Sequence, residues 1–327
     1  MSARREALAR LAGACGFGPA AIVDASLCAL AEAEGVAAYL GARPGAPEPL
    51  RRANRQSLAA GIVRGRALAP LSGALRSAGI PMVLLKGAAL DRLVYAPGER
   101  SMADVDILVP PARFGDAVAA ALALGGRRIE PEGRAVSSRL EYAIAVCLPG
   151  GVEVEIHRAL SSAPLYAVDV DGVCGRAVAG PDGVATPEPS DLFVTLGVHA
   201  AKHGFSVPFR SILDGLLVAT RLDVDFSAVA ARARMYRARR ATAAWLRVLR
   251  RFGLADAGAD VALADLGGDA AVRWLADGAP WPAGATGWRR ATRIAALAEG
   301  VRAPGWLLWR GALRVADTIT GTIHARR

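Results

Sequence analysis

Over residues 3–78 apolar side chains recur every three to four positions, a period that predicts helices, with a break at GARPGAPEP (41–49). The pattern changes at residue 81. PMVLLK (81–86) is a short continuous apolar run that reads as a buried strand, and GAALDRLVY resumes helical spacing with Gly87 in its first turn. After the turn APGER, DVDILV (104–109) reads as a second strand, and Pro110 and Pro111 open a helix through Ala123 that Gly125 and Gly126 close. EYAIAVCLP (141–149) and VEVEIHRAL (152–160), joined by Gly150 and Gly151, predict a hairpin. Residues 169–189, rich in Gly, Pro and Asp, read as a loop. Ser190 is the expected N-cap of DLFVTLGVHAAKHGF, which ends at Gly204. Further helices are expected near 209–221, 227–252, 256–266, 269–277, 286–300 and 304–322, and no internal repeat is visible. The pattern divides the chain into a helical N-terminal region (1–78), a core of strands and helices (79–188) and a helical C-terminal domain (189–327), an α+β organisation.

At 327 residues and 53% hydrophobic content the chain can fill the cores of two modest domains. It shows no secretory start, and no apolar run approaches the roughly 20 residues of a membrane span. A cytoplasmic protein without integral membrane association is therefore expected. Cys15, Cys28, Cys147 and Cys174 form no CxxC pair, which argues against a zinc site or a disulfide framework. The net charge of +10 is concentrated in residues 227–327, which hold 17 arginines against 7 acidic residues. That excess suits a polyanionic partner, but arginine is abundant throughout the chain. The arginines at 232, 234, 237, 239, 240, 247, 250 and 251 keep no single helical period, with only Tyr236 and Trp245 interleaved. They read as a solvated helix in preference to an RNA track, so nucleic acid is a disfavoured partner left open. Trp306 and Trp309, flanking Leu307 and Leu308, read as a core or subunit contact.

Candidate chemistry concentrates in residues 83–109 and in the second arm of the hairpin. Only two of the 40 basic residues are lysines, and one of them, Lys86, stands beside Gly87. Asp104 and Asp106 lie at i and i+2 on one strand. Glu153, Glu155 and His157 alternate with Val152, Val154 and Ile156, so the polar three share a face. Two aspartates on one side of a strand plus a third carboxylate on the same sheet suit Mg²⁺, which favours hard oxygen ligands and retains waters and substrate phosphates. Two such ions would activate an attacking oxygen and neutralise a leaving pyrophosphate. Glu155 is the expected third ligand, with Glu153 the alternative on the same face. Gly87 at a helix start would admit a phosphate to backbone N–H groups. His157 is either a base or a group that orients Glu155. His199 and His203 share a helix face at i and i+4, but no third zinc ligand accompanies them.

The ordered set is LLKGAAL, Arg100, DVDILV, VEIH, HAAKHGF and the ILDGLL around Asp214. It resembles the uncharacterised nucleotidyltransferase-like family of the DNA polymerase β superfamily over roughly residues 50–250. The resemblance implies a small mixed β-sheet nucleotidyltransferase core flanked by helices. It also implies Mg²⁺-dependent transfer of a nucleoside monophosphate from a nucleoside triphosphate to a small-molecule, peptide or protein acceptor. By the same resemblance Asp104, Asp106 and Glu155 are the catalytic and metal-binding residues. Lys86, Gly87, Arg100, Lys202, His199 and His203 are candidates for contact with the triphosphate or the acceptor. Some relatives are associated with the biosynthesis of modified peptides. Ala88 departs from the superfamily, where Ser or Gly follows the glycine, so the triphosphate contact must rest on backbone groups, Lys86 or Arg100. A binding protein that has lost turnover is the second expectation, and an RNA-end nucleotidyltransferase the third.

Overall fold

A computed structural model describes residues 3–129, 142–161, 165–180, 182–279 and 288–299. Seven strands form its sheet: β1 (Val83–Leu84), β2 (Asp104–Leu108), β3 (Arg127–Arg128), β4 (Ala143–Leu148), β5 (Val152–His157), β6 (Val178–Ala179) and β7 (Ala185–Thr186). Their spatial order is β3-β4-β5-β2-β1-β7-β6. The Gly150–Gly151 turn folds β4 and β5 into the expected antiparallel hairpin, and β5 then lies parallel to β2. Beyond β2 follow β1, antiparallel to it, and β7, parallel to β1. The sheet is thus mixed, and the two strands that carry the acidic pattern are neighbours in its interior.

Helices surround this sheet. Before it come α1 (Ala3–Ala14), α2 (Ala25–Ala33), α3 (Ala37–Gly41) and α4 (Glu48–Ser77). Within it, α5 (Lys86–Leu93) links β1 to β2, α6 (Phe114–Ala123) links β2 to β3, and α7 (Val170–Gly175) precedes β6. After it come α8 (Pro189–Lys202), α9 (Phe209–Arg221), α10 (Phe226–Met235), α11 (Arg239–Arg251), α12 (Ala257–Leu266), α13 (Ala270–Gly278) and α14 (Trp288–Leu297). The α+β class is as the hydrophobic pattern indicates. Among the described residues no helix is long and apolar enough to cross a membrane.

Local structure departs from the pattern in four places. The strand expected over 81–86 is only two residues long and stops before Lys86, whose φ of +43° turns the chain directly into α5. The expected loop at 169–189 holds α7 and the β6–β7 pair, which are too short to show a period. Glu188, not Ser190, caps α8, accepting a hydrogen bond from the Asp191 N–H with Pro189 in the first turn. The helix expected over 227–252 breaks into α10 and α11 around Arg237, at φ +54°. The helix expected at 304–322, with Trp306 and Trp309, lies outside the described residues.

Trp245 of α11 is fully buried and lies against Gly197 of α8 and Gly215 of α9. Gly215 of α9 is required there, since a Cβ would fall 2.3 Å from Trp245 Cζ2. Arginines of α10 and α11 join these helices to α12 and α13. Arg234 pairs with Asp265, Arg240 with Asp269 at 2.5 Å and Arg250 with Asp260 at 3.0 Å. Arg239 donates to the Leu266 carbonyl at 2.7 Å, and Arg251 to those of Ala276 and Asp277 at 2.7 and 2.8 Å. They satisfy carbonyls and charges at the ends of neighbouring helices.

Candidate active site

The site is built by strand register. β2 and β5 run in parallel with Asp104 opposite Glu153, Asp106 opposite Glu155 and Leu108 opposite His157. Because alternate residues share a face, the carboxylates of both strands lie side by side on one surface of the sheet. Val105, Ile107, Val154 and Ile156 are buried on the other. The face is therefore not a solvated edge, because β5 is covered on both sides by β4 and β2.

Asp106 is the centre of a compact polar cluster. His157 Nε2 lies 2.7 Å from Asp106 Oδ1 and 3.2 Å from Glu155 Oε2, so one imidazole nitrogen bridges the two carboxylates. Lys86 donates from Nζ to the same Asp106 Oδ1, and its Nζ stands 3.9 Å from Glu155 Oε2. Ligand atoms of Asp106, Glu155 and His157 all fall within 4.8 Å of one another. Asp104 shares the face but lies outside that closest group, beside Glu153.

The charges respond to this crowding. Burial alone would raise the Asp106 carboxyl, but the His157 hydrogen bond and the Lys86 charge outweigh it and hold the group below the usual carboxylate range. Burial raises Asp104, and the negative charges of Asp106 and Glu155 add to the rise against a smaller opposing pull from Lys86. Glu153 is raised by burial and then by Asp104 and Glu155. Burial would lower the Lys86 ammonium, but Asp106, Glu155 and Asp104 together raise it. Four carboxylates, Asp104, Asp106, Glu153 and Glu155, crowd this face, and Lys86 is the ammonium in contact with them.

Helix α8 adds a second row. Lys202 Nζ donates to Tyr142 Oη at 2.9 Å and also lies 5.0 Å from the centre of that ring. The Tyr142 ring stacks on His157 with centroids 5.9 Å apart. Tyr142 was not singled out in the sequence; its only signal is an aromatic residue at the start of the hairpin arm facing His157. His199 and His203 stand with ring centroids 4.8 Å apart. The buried Nδ1 of His199 has no hydrogen-bond partner among the described residues. Burial, then Lys202, Lys86 and His203, hold His199 well below the ordinary imidazole value despite Asp106. His199 is a neutral imidazole at physiological pH.

Arg100 and Gly87 are explained by packing. Arg100 binds Asp214 with both arms of its fork, Nε to Oδ1 at 2.9 Å and Nη2 to Oδ2 at 2.8 Å, and Tyr95 Oη donates to Oδ1 at 2.7 Å. All three side chains are buried. The arginine and the Asp-bearing helix, which the sequence presents as separate motifs, are thus one ion pair across 114 residues. A Cβ on Gly87 would fall 2.3 Å from Arg100 Nη1 and 3.1 Å from Met102 Sδ, so this glycine makes room for the arginine. Two further arginines steady the segment leading into β2. Arg64 of α4 donates to the Met102 carbonyl and Arg210 of α9 to that of Ser101, both at 3.0 Å.

The sequence profile of the family described as uncharacterised nucleotidyltransferase matches residues 24–253. No curated protein matches the chain. Among solved structures, the solution structure of the antibiotic-resistance factor ANT(2'')-Ia shares 17% identity. That likeness covers 53% of this chain and 89% of that one, with a TM-score of 0.37. A crystal structure of ANT(2")-Ia in complex with adenylyl-2"-tobramycin shares 18%, covering 54% and 94%, with the same TM-score of 0.37. Likeness at that level carries no argument about the site. The family match is another matter, since it spans well over half of the chain, and the matched stretch of this chain includes the Lys-Gly turn, the paired aspartates and the Glu-x-His strand. The protein belongs to the uncharacterised nucleotidyltransferase family and is a nucleotidyltransferase.

Proposed function

We propose that the protein transfers a nucleoside monophosphate from a nucleoside triphosphate to a hydroxyl-bearing small molecule, peptide or protein, with Mg²⁺ held by Asp104, Asp106 and Glu155. The observation that supports this most is the in-register pairing of Asp106 with Glu155, which sets carboxylates of two strands on one face. The donors fit a hard divalent cation. They are carboxylate oxygens crowded on one face, and Asp104 and Glu153 are held above their usual range by burial first and then by the neighbouring carboxylates. A bound divalent cation would supply charge neutralisation for the phosphates and acidify the acceptor hydroxyl.

In the transfer, the acceptor oxygen bonds to the α-phosphorus while the bond from that phosphorus to the β-bridging oxygen breaks, releasing pyrophosphate. The acceptor proton passes to a carboxylate of the face. Glu155 suits that task, being partly exposed while Asp106 is buried. His157, bridging Asp106 and Glu155 through Nε2, serves as the orienting group, in line with one of the two roles its sequence position suggested. Lys86, with Lys202 and His199 of α8 and the C-cap residue His203, supplies the positive and polar side chains for the triphosphate or acceptor. Arg100, bound to Asp214, acts on the site through Gly87 and the β2 approach.

The test is pyrophosphate release from labelled triphosphates in Mg²⁺, with peptide, metabolite and protein fractions offered as acceptors. Asp106→Asn should lose at least about a hundredfold in rate, the scale of one electrostatic contact to the transition state. Retention of wild-type release by Asp106→Asn, at an unchanged melting temperature, would overturn the assignment.

A further inference from the structure

We propose that Lys86 is a tethered counter-ion. Without a divalent cation its ammonium takes a cation's place between Asp106 and Glu155, and it moves onto the polyphosphate when metal and nucleotide arrive. This rests on the carboxylate face being the metal site, as proposed above. It adds that metal and triphosphate binding depend on each other through one side chain.

Three observations carry it. The first is position. Lys86 Nζ bonds Asp106 Oδ1 and stands 3.9 Å from Glu155 Oε2, so it engages carboxylates from both strands, as a bridging metal would. A divalent cation bonded to Asp106 Oδ1 at about 2.1 Å would lie against an ammonium on the same oxygen, and the two charges would repel. The second is the backbone. Lys86 is the first residue of α5 and holds φ +43°, a conformation that side chains other than glycine rarely adopt and that persists only where the surroundings enforce it. Its neighbour Gly87 is packed on Arg100, which fixes the turn, while the lysine stem keeps its rotatable bonds. The third is the residue type. In a chain with 38 arginines and two lysines, this position holds a lysine. A guanidinium would grip a carboxylate with two parallel bonds, whereas an ammonium is a point charge on a flexible stem and exchanges one acceptor for another readily. Among the described residues the other groups near the cluster are engaged or uncharged. Arg210, whose charge interacts with that of Asp104, donates to the Ser101 carbonyl at 3.0 Å. Lys202 is engaged by Tyr142, His199 is neutral, and His157 is held by Asp106 and Glu155.

Linkage gives the consequence. If the triphosphate offers the ammonium a second home, nucleotide tightens metal binding, and metal tightens nucleotide binding by the same factor.

The experiment measures Mn²⁺ binding by the loss of the free-ion paramagnetic resonance signal. Wild type, Lys86→Met and Lys86→Arg are compared with and without a non-hydrolysable triphosphate, and the folding of each is checked by circular dichroism. Mn²⁺ taken up by the triphosphate alone is subtracted using protein-free controls. Wild type should bind Mn²⁺ weakly alone and at least about tenfold more tightly with triphosphate. Lys86→Met should bind Mn²⁺ alone about tenfold more tightly than wild type and lose most of the coupling. Lys86→Arg should keep Mn²⁺ out and also lose coupling, and it carries the test if Lys86→Met does not fold. Mn²⁺ affinity no higher in Lys86→Met than in wild type overturns the proposal. So does higher affinity with coupling intact, which would be charge removal at a distance. Failure of every variant to bind Mn²⁺ under any condition would instead overturn the metal site itself.

Discussion

Gly87 and Arg100 define each other. The Arg100 guanidinium reaches Asp214 through the space a side chain at position 87 would fill, and Gly87→Ala puts a methyl carbon 2.3 Å from Nη1. Because both partners of that ion pair are buried, the guanidinium has little room to yield. Gly87→Ala should therefore destabilise the fold by about 1–3 kcal/mol, the usual cost of overpacking. Arg100→Met should cost more, about 3–5 kcal/mol, because it leaves the Asp214 charge buried without its partner. Replacing both members of the pair with apolar residues should recover much of that loss. Urea denaturation of the two single variants and of Arg100→Met with Asp214→Leu checks the ordering. Losing triphosphate affinity in Arg100→Met without losing stability would return Arg100 to direct contact with the nucleotide.

Helix α8 is the element with the clearest dependence on pH. His199 is neutral in the folded protein, its pKa pushed well below the ordinary 6.5 by burial and by Lys202, Lys86 and His203. In the unfolded chain it takes up a proton as pH falls through about 6.5. Below that value the unfolded state binds more protons, so His199 costs stability as pH falls and costs nothing above it. The slope is bounded by one proton, about 1.4 kcal/mol per pH unit. His199→Gln should flatten the stability profile between about pH 5 and 6.5 and leave its slope near pH 8 unchanged. Denaturant midpoints at a series of pH values read this directly, and an unaltered slope in the variant would refute it.

For the whole molecule the question is what +10 of net charge is for. Five arginines of α10 and α11 are bonded to acidic groups and helix-end carbonyls of their neighbours, and a sixth, Arg232, pairs with Glu188 of the α8 cap. They are components of helix packing, which the sequence showed only as crowding without a period. Each of these arginines is already engaged by an acidic group or a helix-end carbonyl. Generic single-stranded RNA should therefore bind no better than a non-specific ligand, with Kd of about 1 µM or weaker at physiological salt. A salt series in a filter-binding assay tests it, and tight binding that survives 0.2 M salt would revive an RNA acceptor.

Some of this was decided by the chain's local pattern. Helical spacing, glycine pairs and alternation are short-range properties, so the hairpin at 143–157, the helix at 209–221 and the shared face of Glu153, Glu155 and His157 could be read without a structure. The aspartate pair was equally plain. Tertiary structure alone decided the rest. Whether Asp106 or Asp104 meets Glu155 depends on the register of two strands whose partners lie 49 residues apart, and a one-residue slip would have turned the carboxylates of one strand to the opposite face from those of the other. No local signal joins Arg100 to Asp214, brings Tyr142 and Lys202 onto His157, or shows that the β6–β7 pair extends the sheet. Nor does spacing reveal the left-handed turn at Lys86, because a backbone angle forced by packing leaves no mark on residue order. The sequence names the side chains available for chemistry. Register and burial decide which of them touch, since contacts between distant segments arise only when the whole core closes.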